Sequence, residues 1–474
     1  MHLTKLDPNR YIIEKRGNMK ADVIVYLNDS LIQHVEDEQN CLQQLIDAAH
    51  LPGVCSPVLG MPDIHTGFGL PIGGVMAVCA REGVVSAGAV GMDINCGVRL
   101  LRTSVPLSET TSRTVSALLQ EVYSRVPSGL GKKSRDKQIR KMGLKRIAES
   151  GAREIVKTLG MGTALDLEHT EEGGCLEGGD LAAVSQAAVR RGDQMGTIGS
   201  GNHFVEIGFV SKVYDTVLAQ KFGLEEDTLT VMIHTGSRGF GHQICTDYSS
   251  LMTSHLQKTG GVLPNKGLSY APIASELGKQ YLSAMAVAAN FAFANRQLVT
   301  EYVRSAFSRV FGTSWDKLGL DVVYDVAHNI AKFEEIHGKK VLVHRKGATR
   351  ALPKGHPLNG KKFMSSGHPV AVPGTMGTAS YVLVGLDGVS ETFNSINHGA
   401  GRVLSRNRAR RTISLQDFDD TMQGVLLLHR GGRILDEAPA AYKDIHAVVD
   451  ALVEAGITKK VIQLKPLAVL KGED

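Results

Sequence analysis

Five side chains with metal-ligand chemistry stand in four short polar runs amid otherwise apolar, glycine-rich surroundings. Asp93 and Cys96 lie in residues 91–97 (GMDINCG), His203 in 201–206 (GNHFVE), His234 in 233–239 (IHTGSRG) and His328 in 325–329 (DVAHN). Asp93 and Cys96 are three positions apart, so one tight turn can present both to a single ion. A thiolate can bridge two cations while imidazoles and a carboxylate fill the remaining positions. Two cations ~3.5–4 Å apart suit phosphoryl chemistry, one stabilising the attacking oxygen and the other the leaving oxygen. Each residue alone has a plainer reading. A histidine at a strand end is commonly a satisfied core residue, a lone cysteine a small hydrophobe, and an aspartate a turn cap. Their combination points to a metal site. By softness, a Cys/His/Asp set favours zinc or iron over manganese, so spacing leaves the metal open.

The elements that must position these groups are short strands and turns. Residues 51–103 alternate apolar pairs with glycine, the pattern of buried strands joined tightly. Ahead of them, residues 22–27 read as a strand and 29–50 as a helix. Residues 108–160 read as amphipathic helix, 181–193 as a short helix and 230–241 as a strand. Residues 274–311 form a long helical pattern, apolar nearly all round and therefore buried. The remainder is again β-like and glycine-rich. At 474 residues with 43% hydrophobic content, the chain can bury a large core. No break in composition marks a domain boundary. The expectation is one α+β domain over 1–474, with mixed sheets, flanking helices, a central cleft and a substructure around 105–180 read as inserted.

The net charge of +5 permits an anionic partner without requiring one. Residues 132–146 are strongly basic, and 163–182 lean acidic. The six cysteines include no CxxC pair, which argues against a disulfide scaffold and for a reducing, cytoplasmic setting. Residues 1–16 lack an apolar run and read as mature protein. No stretch of ~18 uncharged apolar residues predicts a membrane span.

Eight runs carry a resemblance: MPDIHTGFGLPIGG (61–74), GMDINCGVRLL (91–101), GSGNHFVEIG (199–208), HTGSRGFGH (234–242), DVAHNIA (325–331), HRKGATRA (344–351), PGTMGTASYVLVG (373–385) and HGAGRVLSR (398–406). In this order they resemble the RtcB family of RNA ligases, from about residue 20 to the C-terminus. The resemblance implies that Asp93, Cys96, His203, His234 and His328 hold two Mn²⁺ ions, with Cys96 bridging. It makes His398 the nucleophile that accepts GMP from GTP. A neutral imidazole suits that role, and its phosphoramidate passes the nucleotide onward. Gly399, Ala400 and Gly401 let backbone N–H groups approach phosphate. Asn202 and Asn329 are implied to contact the nucleotide. Guanine recognition falls on Glu206, Ser380, Tyr442 and Lys471, with Thr375 adding a hydroxyl where relatives often carry serine. Arg238, Arg345, Lys346, Arg350, Arg402 and Arg406 are candidate RNA-phosphate contacts. The runs 132–146 and 406–411 are read as either RNA contacts or solvated faces, and His65 is left without a role.

The implied reaction joins an RNA 3′-phosphate, or a 2′,3′-cyclic phosphate opened in the same site, to a 5′-hydroxyl. It proceeds through His398–GMP and an RNA(3′)pp(5′)G end, in tRNA splicing, RNA repair or both. The enzyme is expected to be a monomer; the need for an archease-like activating protein stays open. No KxDG motif of lysine-nucleotide ligases is present. A binuclear phosphohydrolase needs the same ligands without a guanylylated histidine, and an idle RNA-binding protein needs neither.

Overall fold

Glycine-punctuated apolar runs build two large sheets. The computed structural model describes residues 3–428 and 432–472. The side chains of residues 140–142, 432 and 433 lie outside that description, and with them Arg140 and Lys141 of the basic run. The first sheet runs in the order Thr4–Asp7, Arg10–Ile13, Val23–Tyr26, Val58–His65, Ile72–Cys79, Lys339–Lys346, Asn329–Ile336. The second runs Asp321–Ala327, Gly97–Pro106, Thr228–Thr235, Phe204–Val213, Thr458–Lys471, Ser380–Gly385, Val370–Val372, with Leu426–Leu427 alongside Thr458–Lys471. Its edge strands approach each other where Tyr324 stacks on His368, ring centroids 4.5 Å apart, so the sheet nearly closes into a barrel. The fold is α+β. Val58–His65 is buried at every position, because helices and loops cover both faces of its sheet.

The helix Glu276–Phe311 is buried over most of its length, as its all-round apolar pattern predicts. Ser275 caps it by accepting from the Gly278 N–H, and Gly312 ends it in the left-handed region. Helices Ser112–Arg125, Leu144–Ser150 and Ala152–Leu159 pack along it. Among the described residues no helix is long and apolar enough to cross a membrane.

Four elements differ from expectation, the first being the 181–193 helix, which is a 3₁₀ turn at Leu181–Ala183, a short helix at Gln186–Val189 and a second 3₁₀ segment at Arg190–Gln194. The 29–50 helix is two helices, Ile32–Asp37 and Asn40–Ala48. Glu36, Asp37 and Glu38 put carboxylates at the negative end of the first helix dipole, which favours ending it there. The 108–160 stretch breaks at Gly143 (φ 81°) and Gly151 (φ 57°). The strand expected over 230–241 stops at Thr235, and the helix Arg238–Thr259 begins three residues later. Gly236 makes that turn against the Asp93 carboxylate, where a Cβ would collide.

Candidate active site and metal centre

Four neighbouring antiparallel strands deliver the metal-type ligands to one end of the barrel-like sheet. Ala327 pairs with Gly97, Gly97 with Thr235, and His234 with Phe204. Cys96 therefore precedes one strand, His203 precedes another, His234 ends a third and His328 follows a fourth. The 91–97 turn is locked by Cys96 N–H donating to the Asp93 carbonyl (3.0 Å) and by Asn95 at φ 57°. His328 N–H donates to the Cys96 carbonyl at 2.8 Å.

The side chains converge. Cys96 Sγ lies 3.3 Å from Nε2 of His203 and 3.3 Å from Nε2 of His234. His234 and His328 bring their Nε2 atoms to 3.4 Å, and Asp93 Oδ2 sits 2.9 Å from His203 Nε2. Arg238 Nη1 contacts His203 Nδ1 at 3.2 Å, and Ser237 Oγ donates to Asp93 Oδ1 at 3.2 Å. Burial pushes the Cys96 thiol well up, and pushes His203 down and His234 and His328 well down. Burial also opposes the Asp93 carboxylate, but its His203 partner and Arg238 outweigh that and hold it below the usual range. Imidazoles, a thiol and an ionised carboxylate, with the donor atoms of Cys96, His203 and His234 within 4.8 Å of one another, fit a divalent cation.

His398 stands beside this cluster, its ring centroid 4.7 Å from that of His328. Its Nδ1 is 2.6 Å from Asp63 Oδ2, which also accepts the backbone N–H groups of His398 (3.1 Å) and Gly399 (3.3 Å). A carboxylate against Nδ1 places the ring proton there and leaves the Nε2 lone pair free. Gly401, at φ 73°, lies against the Asp63 carbonyl with no room for a Cβ. Lys443 Nζ donates to the carbonyls of Pro62 (3.0 Å) and Ile64 (2.6 Å) and so fixes the strand carrying Asp63.

A cavity of about 870 Å³ joins the cluster and His398 to the expected guanine-side residues. Glu206 lies deep in it, and burial raises its pKa to about 8. Lys471 extends the neighbouring strand and donates to Glu437 Oε2 (3.0 Å) and to the Gly201 carbonyl (2.5 Å). Tyr442 donates its hydroxyl to the same Glu437 oxygen at 2.5 Å, and the Arg402 guanidinium sits 4.8 Å from the Tyr442 ring centre. Asn202, Asn329, Thr375, Ser380, Gly399, Ala400 and Gly401 also line the cavity. Asn329 is already engaged, donating to the Asp93 carbonyl (3.1 Å) and accepting from Gly347 N–H (2.9 Å).

A family model described as tRNA-splicing ligase RtcB matches residues 44–472. The chain belongs to the RtcB family. It is 45% identical to the tRNA-splicing ligase RtcB of Thermococcus kodakarensis, over 99% of both chains. It is 45% identical to the protein of that name from Archaeoglobus fulgidus, over 96% of both. It is 44% identical to the RNA-splicing ligase RtcB of Mycobacterium tuberculosis, over 90% of this chain and all of that one. The resemblance drawn from the eight runs is thus borne out.

Not every expected RtcB contact survives. Arg345 is fully buried, donating to both Glu334 carboxylate oxygens and to the Phe393 carbonyl. Arg350 is buried against Glu171 and Glu172 at 3.0 Å each. Both arginines satisfy internal carboxylates, so neither is an RNA contact. Arg238, Lys346, Arg402 and Arg406 do line the cavity. Lys346 is held by the Phe68 and Gly88 carbonyls, and burial lowers its pKa to about 8. Sequence reasoning passed over Asp63 and Glu437. Asp63 stood within the quoted MPDIH run, and a carboxylate in an otherwise apolar strand was its signal. Glu437 had none, since its meaning comes from Arg402, Tyr442 and Lys471, which only the fold gathers around it. His65, left without a role, lines the cavity with Nδ1 2.8 Å from the Asp63 carbonyl.

Proposed function

We propose that this chain is a GTP- and manganese-dependent RNA ligase that joins 3′-phosphate or 2′,3′-cyclic phosphate ends to 5′-hydroxyl ends. The observation that carries the reading is the His398 ring lying 4.7 Å from His328, beside Cys96, His203 and His234, in a cavity of nucleotide size. Asp93, Cys96, His203, His234 and His328 would hold the two Mn²⁺ ions. Those cations would neutralise phosphate charge where several phosphates crowd together.

His398 Nε2 attacks the α-phosphorus of GTP, the bond to the β-phosphate oxygen breaks, and pyrophosphate leaves. Asp63 keeps the ring proton on Nδ1, so the lone pair stays on Nε2. The RNA 3′-phosphate then attacks the His398-bound phosphorus, giving RNA(3′)pp(5′)G and freeing the imidazole. Finally the 5′-hydroxyl oxygen attacks the RNA-side phosphorus and GMP departs with the bonding pair. Arg238, Arg402, Arg406, Lys346 and Lys471 give the cavity a cationic lining that suits a polyanionic occupant. Glu206, once ionised, accepts from guanine N1–H and N2–H₂, which adenine cannot offer together, and Lys471 donates to guanine O6.

The test is incubation with α-labelled GTP and Mn²⁺ followed by denaturing electrophoresis, paired with a joining assay on 3′-phosphate and 5′-hydroxyl RNA. An acid-labile protein label that disappears in His398→Ala, together with joined RNA, is the expected result. Phosphate release from simple phosphoesters with no label would replace this reading by a binuclear phosphohydrolase.

A further inference from the structure

Polar side chains buried in an apolar helix cost stability unless each is satisfied. Their partners therefore report what they maintain. Midway along the helix Glu276–Phe311, Asn295 and Arg296 are fully buried. Arg296 Nη1 donates to the Asn95 carbonyl (2.8 Å) and the Thr235 carbonyl (3.0 Å). Asn95 immediately precedes Cys96, and Thr235 immediately follows His234. Arg296 Nε donates to Asp325 Oδ1 at 2.9 Å, on the strand that ends beside His328. Asn295 Oδ1 accepts the N–H groups of Gly196 (2.7 Å) and Thr197 (3.1 Å), in the run leading to His203. Its Nδ2 donates to the Thr197 and Gly236 carbonyls at 3.1 Å each. Two consecutive helix residues thus tie all four ligand-bearing segments to one rigid element.

The sheet cannot do this itself. The pairing of Gly97 with Thr235 is the last rung between those two strands, and Cys96 lies beyond it. A guanidinium spans two carbonyls and a carboxylate with a planar fork, a reach that a single ammonium lacks. By contrast Arg304, also buried in this helix, bonds Asp166, Glu301 and the Leu320 carbonyl and touches no ligand segment.

We propose that Asn295 and Arg296 are the positioning pair of the metal centre, setting the mutual placement of Cys96, His203, His234 and His328 before any cation binds. This rests on the metal-centre reading of the proposed function. The pair's hydrogen bonds go to backbone groups and to the side chains of Asp325 and Thr235, not to the side chain of a metal-type ligand.

The test uses the full chain as wild type, Arg296→Lys, Asn295→Leu and Arg304→Lys. Co²⁺ binding is followed by thiolate-to-cobalt absorption, Mn²⁺ affinity by calorimetry, and thermal unfolding in chelator and in excess Mn²⁺. Arg296→Lys and Asn295→Leu should weaken metal binding ~10–100-fold, the range for residues that orient ligands. They should also alter the cobalt spectrum and shrink the metal-induced rise in unfolding temperature. Arg304→Lys should lower the unfolding temperature in chelator while keeping wild-type affinity and spectrum. Arg296→Lys retains a charge for Asp325, so it decides the matter if Asn295→Leu does not fold. Folded variants that bind Mn²⁺ and Co²⁺ as wild type does would reduce the pair to ordinary core residues and overturn the proposal. A wild-type chain that binds neither metal would instead overturn the metal-centre reading beneath it.

Discussion

Asp63 offers the most discriminating perturbation, because three donors converge on one of its oxygens. Oδ2 accepts from His398 Nδ1 at 2.6 Å and from the backbone N–H groups of His398 and Gly399 at 3.1 and 3.3 Å. In Asp63→Asn an amide oxygen in that place keeps all three bonds and loses only their charge assistance. A hydrogen bond to a charged group is worth ~1.5–3 kcal/mol against ~0.5–1.5 for a neutral one. For the one bond that orients the ring, the difference of about 1–1.5 kcal/mol corresponds to guanylylation slowed ~5–15-fold. In a serine-protease triad the same replacement costs ~10⁴, because the amide turns its NH₂ to the ring and imposes the wrong tautomer. Here that rotation would point the NH₂ at two backbone N–H groups, so the oxygen stays. Asp63→Ala strands all three donors and should cost on the order of 10²–10³. The assay is single-turnover formation of labelled protein at saturating GTP and Mn²⁺. An Asn variant as slow as the Ala variant would refute the pinned-oxygen argument. Wild-type rates in both would refute any role for Asp63 in orienting the ring.

Glu206, raised to about 8 by burial, yields a second expectation. The nucleotide-free fold keeps a proton that the unfolded chain releases near its ordinary value, so stability should fall as pH rises from about 4.5 to 8, by at most ~1.4 kcal/mol per unit. Glu206→Gln should flatten that slope in pH-dependent denaturant unfolding, and wild-type GTP affinity should strengthen toward pH 8 as the carboxylate ionises. Glu437→Gln should weaken GTP binding about tenfold or more through loss of the charge that holds Lys471, Tyr442 and Arg402; unchanged affinity and unchanged preference over ATP would speak against it. Arg345→Met breaks a fully buried pair with Glu334 and should cost ~3–5 kcal/mol in unfolding free energy. The salt dependence of RNA binding should stay as it is, whereas a shallower slope would restore Arg345 as a phosphate contact.

The ligand runs were legible because their chemistry is local: a carboxylate and thiol three residues apart, and histidines within two or three residues of a glycine or an aspartate. The long buried helix was legible too, since an all-round apolar pattern over 36 residues admits few other structures. What it does was not. Asn295 and Arg296 carried no signal within that pattern, and only tertiary pairing with Asn95, Thr197, Thr235 and Asp325 gives them meaning. Arg345 and Arg350 failed for the same reason. A basic residue near a glycine run looks like a phosphate contact until Glu334, Glu171 and Glu172 are seen against it. The break at Glu38 and the turn at Gly236 were set by a helix dipole and a neighbouring carboxylate, which periodicity does not register.

The opposed effects of burial on the ligands lead to a final expectation about how metal enters. Burial lowers His203, His234 and His328, so near neutral pH these rings already hold the unprotonated form that a cation requires. Asp93 is likewise ionised already. Cys96 is the exception: burial raises it well above its ordinary value, and its proton must leave when a cation binds. Between about pH 6 and 8.5 metal affinity should therefore rise about tenfold per pH unit, the slope of a single proton. Calorimetry in buffers of different ionisation enthalpy should count one proton released when the thiolate forms, and Cys96→Ala should remove both slope and release. Exposed imidazoles would behave otherwise, each releasing a further proton below their ordinary value of 6.5. A slope of two or more there would mean that the histidines are charged in the free protein, and that burial does not prepare this centre for its cations.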